Sequence, residues 1–309
     1  MEKRKKTKNL NLLALIALWL ALFSWGIHGV AGRFLALNNV SMLGVMELRF
    51  IIGAVLFFIY LLITGNLNLT FFKYWKSLLP LSFVGLFGNS IFYHLGLKYI
   101  PATLVMLLEN LSPFFVVLMM IIIEKSKPER HEVVALFVSF MGLILIVVGK
   151  GGLKISSAQF YIGVLLEVAA GLTFGAYTYF SARFFKKNSI EFSFSMMMNI
   201  LFQVFLYSSI MGLPFVFTVN YPSLRQIDIL LILEMGLFQS FAAYLLWNYA
   251  LSKLPTSSTS ILFYMTVVFT SINEVIFLKF YPNWIIIAGS LIILASAIVL
   301  SVKSHKTIS

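Results

Sequence analysis

Residues 101–123 read PATLVMLLENLSPFFVVLMMIII. Nearly every side chain in this run belongs in hydrocarbon, yet its middle carries Glu109, Asn110, Ser112 and Pro113. What a carboxylate and a helix-breaking proline do there depends on the solvent around the run. Composition decides that. The 309 residues are 60% hydrophobic and 11% charged, against about 25% charged in a soluble domain. So little polar surface cannot cover the molecule in water, and a bilayer is the natural solvent.

Outward from this run, nine more of similar kind follow the same rule that about 20 apolar residues make a spanning helix. The ten are 11–33, 41–63, 77–97, 101–123, 131–149, 159–181, 191–213, 228–250, 256–278 and 282–302. The gaps, such as EKSKPER (124–130) and KGGLK (150–154), are too short for a soluble domain. The pattern predicts an all-α polytopic membrane protein with ten transmembrane helices. The basic stretch MEKRKKTK before the first run resembles the start of a signal peptide. The apolar run behind it is too long for one, however, and no clear small-x-small cleavage site follows. A retained first helix with a basic tail is expected.

Lys and Arg fall unevenly on alternate sides of these runs. One side takes both chain ends, Lys73, Lys76, Lys125, Lys127, Arg130, Arg183, Lys186, Lys187 and Lys253, sixteen in all. The other takes Arg33, Lys98, Lys150, Lys154, Arg225 and Lys279, and Arg49 lies inside a run. Basic loops stay in the cytoplasm, so the expectation is a plasma (inner) membrane protein with both termini cytoplasmic. The net charge of +12 is thereby read as a topology signal, and a nucleic-acid partner is not expected.

Several chemistries are disfavoured. Without cysteine there is no disulfide framework or thiolate metal site. No G-x-x-x-x-G-K-[ST] loop or H-E-x-x-H helix occurs, so neither ATP hydrolysis nor such a metal site is indicated. No catalytic residue, metal ligand or cofactor is assigned. An integral membrane enzyme would want an acid–base pair or nucleophile clustered at an interface, whereas the ionisable groups here are dispersed in depth. A non-transporting membrane partner is a third reading.

LGLKYIPATLVMLL (95–108) is similar to YALSKLPTSSTSIL (249–262): Leu97 and Pro101 match Leu251 and Pro255, an offset of 154 residues. The same offset carries Lys125 onto Lys279 and Pro128 onto Pro282. Two five-helix repeats, 1–150 and 151–309, are therefore expected. Five is odd, so the second repeat is inverted in the membrane, an architecture common among secondary transporters.

The chain resembles EamA-type members of the drug/metabolite transporter superfamily. SWGIHGVAGRF (24–34), ELRFIIGAVLF (47–57), YHLGLKYIPATLVMLLENLSPFFVVLMMIIIEK (93–125) and its second copy NYALSKLPTSSTSILFYMTVVFTSINEVIFLK (248–279) carry the resemblance. His28 departs from the family's amide or small residue, and Leu278-Lys279 stands where a loop glutamate is usual. The resemblance implies ten helices, cytoplasmic termini and export or exchange of amino acids, metabolites or drugs.

The ionisable groups inside runs are His28, Glu47, Arg49, His94, Glu109, Glu167, Glu234 and Glu274. A charge at the bilayer centre costs ~2.5–3.5 kcal/mol on insertion scales and usually faces the bundle interior. Helical spacing suggests four cavity stripes: Gly85, Asn89, Tyr93 and Gly96; Thr103, Met106, Glu109, Asn110 and Pro113; Gly163, Glu167, Gly171, Thr178 and Ala182; and Thr256, Ser260, Tyr264, Ser271 and Glu274. Small residues in these stripes have a simpler reading as close helix packing. Glu47 and Arg49, two apart, point about 160° from each other and cannot pair. Arg49 has Glu109 as its candidate partner. Pro113 denies the carbonyl of residue 109 its backbone bond and kinks the helix there, and irregular backbone at this depth needs a protein or cavity lining.

The expected substrate-binding set is Trp25, His28, Arg49, Asn89, Tyr93, His94, Glu109, Asn110, Glu167, Trp247 and Tyr264. Glu109 and Glu167 are candidates for coupling to protons. The expected function is a secondary transporter exporting or exchanging a small, amino-acid-like metabolite across the lipid bilayer. Efflux of lipophilic cationic drugs is the alternative. Homo-oligomerisation is left open.

Overall fold

In hydrocarbon every backbone N–H and C=O must find a partner inside the protein, and a helix provides one within its own segment. The computed structural model describes residues 2–96, 99–100, 102–149, 158–187, 193–279 and 281–307. Leu97, Lys98, Pro101, Lys150 and Lys154 of the topology and repeat arguments lie outside them, as does the join at 150–157. Among the described residues, ten helices are long and apolar enough to cross a membrane. They are α1 (Leu12–Ala36), α2 (Met42–Ile63), α3 (Phe72–Gly96), α4 (Leu107–Glu124), α5 (Arg130–Gly149), α6 (Gln159–Lys187), α7 (Phe194–Thr218), α8 (Gln226–Lys253), α9 (Thr256–Phe277) and α10 (Trp284–Val302). No strand occurs among the described residues. The protein is a multi-pass membrane protein.

The packing is paired. α1 lies against α8 and α9, and α6 lies against α3 and α4 in the same way; α2 packs on α7, and α5 on α10. Backbone irregularities recur at the offset seen in the sequence. A wide-turned, π-helical segment occupies Leu81–Gly88 in α3 and Met235–Ala242 in α8. In the first case Pro80 precedes it and supplies no N–H to the ladder. α4 breaks between Ala102–Glu109 and Ser112–Glu124, and α9 between Thr256–Leu262 and Met265–Leu278. Both ends are capped by a lysine in the left-handed region, Lys125 (φ 53°) and Lys279 (φ 55°). Their N–H groups reach back to the Met120 and Glu274 carbonyls.

Close approach needs glycine at three of these crossings. A Cβ on Gly26 of α1 would lie 2.5 Å from Phe269 Cβ, and one on Gly175 of α6 would lie 3.0 Å from Phe115 Cβ. Phe115 and Phe269 are themselves 154 apart. Gly142 and Gly289 bring α5 and α10 together, each facing the other's carbonyl oxygen. Without a hydrophobic drive between helices in lipid, small residues that admit backbone contact supply the packing.

On the face that carries the chain ends, Glu132 at the start of α5 is buried and accepts from the Ser257 hydroxyl and, at 3.0 Å, from the Ser258 hydroxyl of α9. Lys186 of α6 donates to Thr256 at 2.7 Å.

Candidate functional site

The break in α4 is where the polar side chains gather. Pro113 has no N–H, so the helical bond to the Glu109 carbonyl cannot form. The chain passes the gap with tighter bonds, Leu111 N–H to Leu108 O at 3.1 Å and Phe114 N–H to Leu111 O at 2.9 Å. Gly171 of α6 lies flush against the carbonyls at the break: a Cβ there would sit 2.8 Å from Leu108 O and 3.2 Å from the freed Glu109 O. Backbone cannot step aside as a flexible side chain can. Gly171→Ala is therefore expected to destabilise by about 1–3 kcal/mol, as overpacking does, and to depress transport. A melting temperature in detergent equal to wild type would refute this.

Around the break lies a cavity of about 90 Å³. Trp25, His28 and Gly29 of α1, Arg49 of α2, and Asn89, Ser90, Tyr93 and His94 of α3 line it. Glu109 and Asn110 of α4, Phe174 of α6, Tyr244 of α8, and Phe263, Thr266 and Thr270 of α9 complete the wall. Eight of the eleven expected residues are thus brought together: Trp25, His28, Arg49, Asn89, Tyr93, His94, Glu109 and Asn110. Three are not. Glu167 is fully buried in α6 with its carboxylate against Gly96, and neither oxygen has a hydrogen-bond partner. Trp247 stands behind Trp25, ring centroids 5.2 Å apart, and Tyr264 is buried with its hydroxyl unpartnered.

The expected stripe on α6 is a packing face and not a cavity wall. Gly163 meets Ile100 and Tyr99, Glu167 meets Gly96, and Gly171 meets α4. On α9 the stripe is out of phase, because the break at Phe263–Tyr264 resets the helical register. Phe263, Thr266 and Thr270 face the cavity in place of Thr256, Ser260 and Tyr264. The hydroxyls of Thr266 and Thr270 are turned onto the carbonyls of Phe263 and Thr266.

Charge in the cavity is organised by hydrogen bonds. Arg49 is only 6% exposed, and its bonded partner is His28, not Glu109: Nη1 lies 2.9 Å from Nδ1 and 3.2 Å from Nε2 of the ring. His28 Nδ1 is also 2.8 Å from Gln239 Oε1. His94 donates from Nδ1 to the Ser90 carbonyl at 2.6 Å and leaves Nε2 without a partner. Asn89 is anchored on α6 through the Ala170 carbonyl at 3.0 Å and stands beside Glu109. An aromatic wall continues the cavity, with Trp25 edge-on to Phe174, Tyr244 and Phe263 at 5.8, 5.3 and 5.9 Å between centroids.

Ser90, Phe174, Tyr244, Phe263, Thr266 and Thr270 were not singled out from the sequence. Thr266 and Thr270, one turn apart, were detectable as a polar pair, but only with the helix phase restarted at the break. Phe174 and Tyr244 look like ordinary apolar core. No group of three or more potential metal-ligating side chains is assembled among the described residues.

Among the described residues, ten candidate membrane spans enclose a buried polar cavity. The EamA-like transporter family model matches residues 12–148 and again 161–302, and the chain belongs to that family. It is similar to two proteins of Archaeoglobus fulgidus described as "Uncharacterized transporter". Both are 26% identical, one over 74% of this chain and 78% of the relative, the other over 80% and 83%. "Uncharacterized transporter YyaM" of Bacillus subtilis is 26% identical over 63% of each chain. A solved crystal structure superimposes with a TM-score of 0.78 at 17% identity, covering 96% of this chain and 99% of that one. At that identity the likeness speaks for the fold alone.

Proposed function

We propose that the protein exports or exchanges a small amino-acid-like metabolite through the cavity at the α4 break. One observation carries the reading. A carboxylate, Glu109, and a guanidinium, Arg49, line the same cavity without being hydrogen-bonded to each other, so each is available to a zwitterion. Glu109 would take the ammonium end. Arg49, with His28, would take the carboxylate. Trp25, Phe174, Tyr244 and Phe263 would pack its apolar part. The transporter family supports a carrier, and the site needs no covalent chemistry.

A cavity of about 90 Å³ is smaller than the roughly 150 Å³ cavity that admits benzene. It suits the charged end of an amino acid better than a multi-ring cation, and a buried Arg49 repels cations. These points place lipophilic-cation efflux second. We further propose that residues 1–150 and 151–309 act as inverted repeats with cytoplasmic termini. The 154-residue offset of the breaks supports the repeat, and the basic-residue asymmetry supports the orientation.

Counterflow in proteoliposomes tests the substrate class. Labelled amino acids and tetraphenylphosphonium are compared as probes. Amino-acid counterflow that the cation does not inhibit is expected. Counterflow of the cation alone would replace this reading with the alternative. A C-terminal reporter is expected in the cytoplasm, and an external one would reverse the orientation.

A further inference from the structure

A half-buried carboxylate, Glu234 of α8, lies outside the cavity lining. It is joined to the cavity by a single amide. Gln239, five residues on in the π-helical segment, is fully buried. Its Nε2 lies 2.9 Å from both oxygens of Glu234. A carboxylate only accepts, so the NH2 end of Gln239 must face it. The carbonyl end is then turned the other way, and Oε1 meets His28 Nδ1 at 2.8 Å. An amide oxygen also only accepts, so Nδ1 must carry the ring proton. The same nitrogen cannot then receive Arg49, whose guanidinium only donates. Arg49 Nη1, almost equally far from the two ring nitrogens at 2.9 and 3.2 Å, rests over the face of the ring, and the in-plane lone pair of Nε2 is left facing the cavity side.

Three side chains therefore form a chain with one direction. His28 donates to Gln239 and Gln239 to Glu234. Aligned hydrogen bonds polarise one another, and this chain runs from an imidazole in the cavity, with the Arg49 guanidinium over its ring, to an anion outside it. Gln239 is held at its backbone as well, because Trp25 Nε1–H donates to its carbonyl at 3.1 Å. We propose that Glu234 is a positioning residue: from outside the cavity it sets the tautomer of His28 through the orientation of the Gln239 amide, and so keeps Nε2 as the ring's open acceptor beside Arg49. Its functional weight rests on the reading of Arg49 and His28 as binding groups, whereas the tautomer itself does not.

The arrangement also assigns a use to two residues that neither charge nor depth explains. Gln239 sits where an apolar side chain would otherwise fill the core. Glu234 is flanked by lipid-exposed Leu230, Leu233, Leu237 and Phe238. A carboxylate among such neighbours is costly unless something in the protein requires an acceptor at that point.

The test is ¹⁵N NMR of histidine-labelled protein in nanodiscs at neutral pH. The sequence has four histidines, and the His28 signals are identified by their loss in His28→Asn. In wild type, His28 is expected as the Nδ1–H tautomer. Glu234→Leu frees the amide to turn and is expected to shift the ring toward Nε2–H, and Gln239→Leu is expected to do the same. The double variant Glu234→Leu/Gln239→Glu places an acceptor-only group beside His28 and is expected to restore Nδ1–H. A wild-type ring carrying its proton on Nε2, or on both nitrogens, overturns the proposal, as does Glu234→Leu with an unchanged Nδ1–H signal. If the variants fail to fold, the wild-type spectrum still decides. None of these readouts involves transport, so they can fail while the binding reading stands, and the reverse.

Discussion

Proteoliposomes carrying Glu109→Gln are expected to lose gradient-driven accumulation of substrate while still exchanging it across the membrane. Glu109 is the carboxylate that lines the cavity, and the irregular backbone of the α4 break presents it there. A single carboxylate that holds either a proton or the ammonium group of a substrate is the minimum device for coupling the two. A glutamine keeps the shape and the acceptor oxygen and removes the titration. The other coupling candidate is placed differently. Glu167 lies against Gly96, away from the cavity, and Glu167→Gln is expected to respond to an imposed pH gradient as wild type does. Transport by wild type, Glu109→Gln and Glu167→Gln is compared with and without the gradient. Wild-type flux that ignores the gradient excludes coupling. An unimpaired response in Glu109→Gln removes that residue from it.

Arg49→Ala is expected to abolish measurable transport. Losing a hydrogen bond to a charged group costs about 1.5–3 kcal/mol, which corresponds to roughly ten- to hundredfold in binding. The cavity would also lose its guanidinium. Expression separates two accounts of what Arg49 does for the fold. The sequence pointed to Glu109 as the cross-helix partner, and the structure gives His28. Adding Glu109→Gln to Arg49→Gln is thus expected to leave expression no better than Arg49→Gln alone. Recovery in the double variant would make the carboxylate, and not the imidazole, the partner that matters for folding.

The ten helices were legible because hydropathy and length are properties of each segment alone. The broken helix was legible for the same reason: Pro113 acts on the carbonyl four residues before it. Which face of each helix meets the cavity was legible only where the helix is regular. On α3, Asn89 and Tyr93, which spacing put on one stripe, both line the cavity, and His94, read only as an ionisable group, joins them. On α9 the break is made without proline, by Phe263 and Tyr264, and nothing in Ile261–Thr266 announces it. The phase carried through that point was therefore wrong. On α6 the small residues fitted either a cavity wall or a packing face, and only the distances to Ile100, Gly96 and Leu108 choose the latter. Gln239 escaped notice because an isolated amide in an apolar run carries no pattern. Its meaning lies in Glu234 and His28, from two different helices.

The two broken helices differ in one respect that the offset conceals. Position 113 is proline, and the corresponding position 267 is valine. Val267 now donates to Tyr264 O at 3.2 Å. With a modest change in backbone angles it can donate to Phe263 O instead, and α9 becomes continuous. Pro113 has no hydrogen to offer the Glu109 carbonyl in any conformation. The backbone of α9 thus carries the donor for an unbroken helical ladder at this point, whereas α4 lacks the donor for the Glu109 carbonyl.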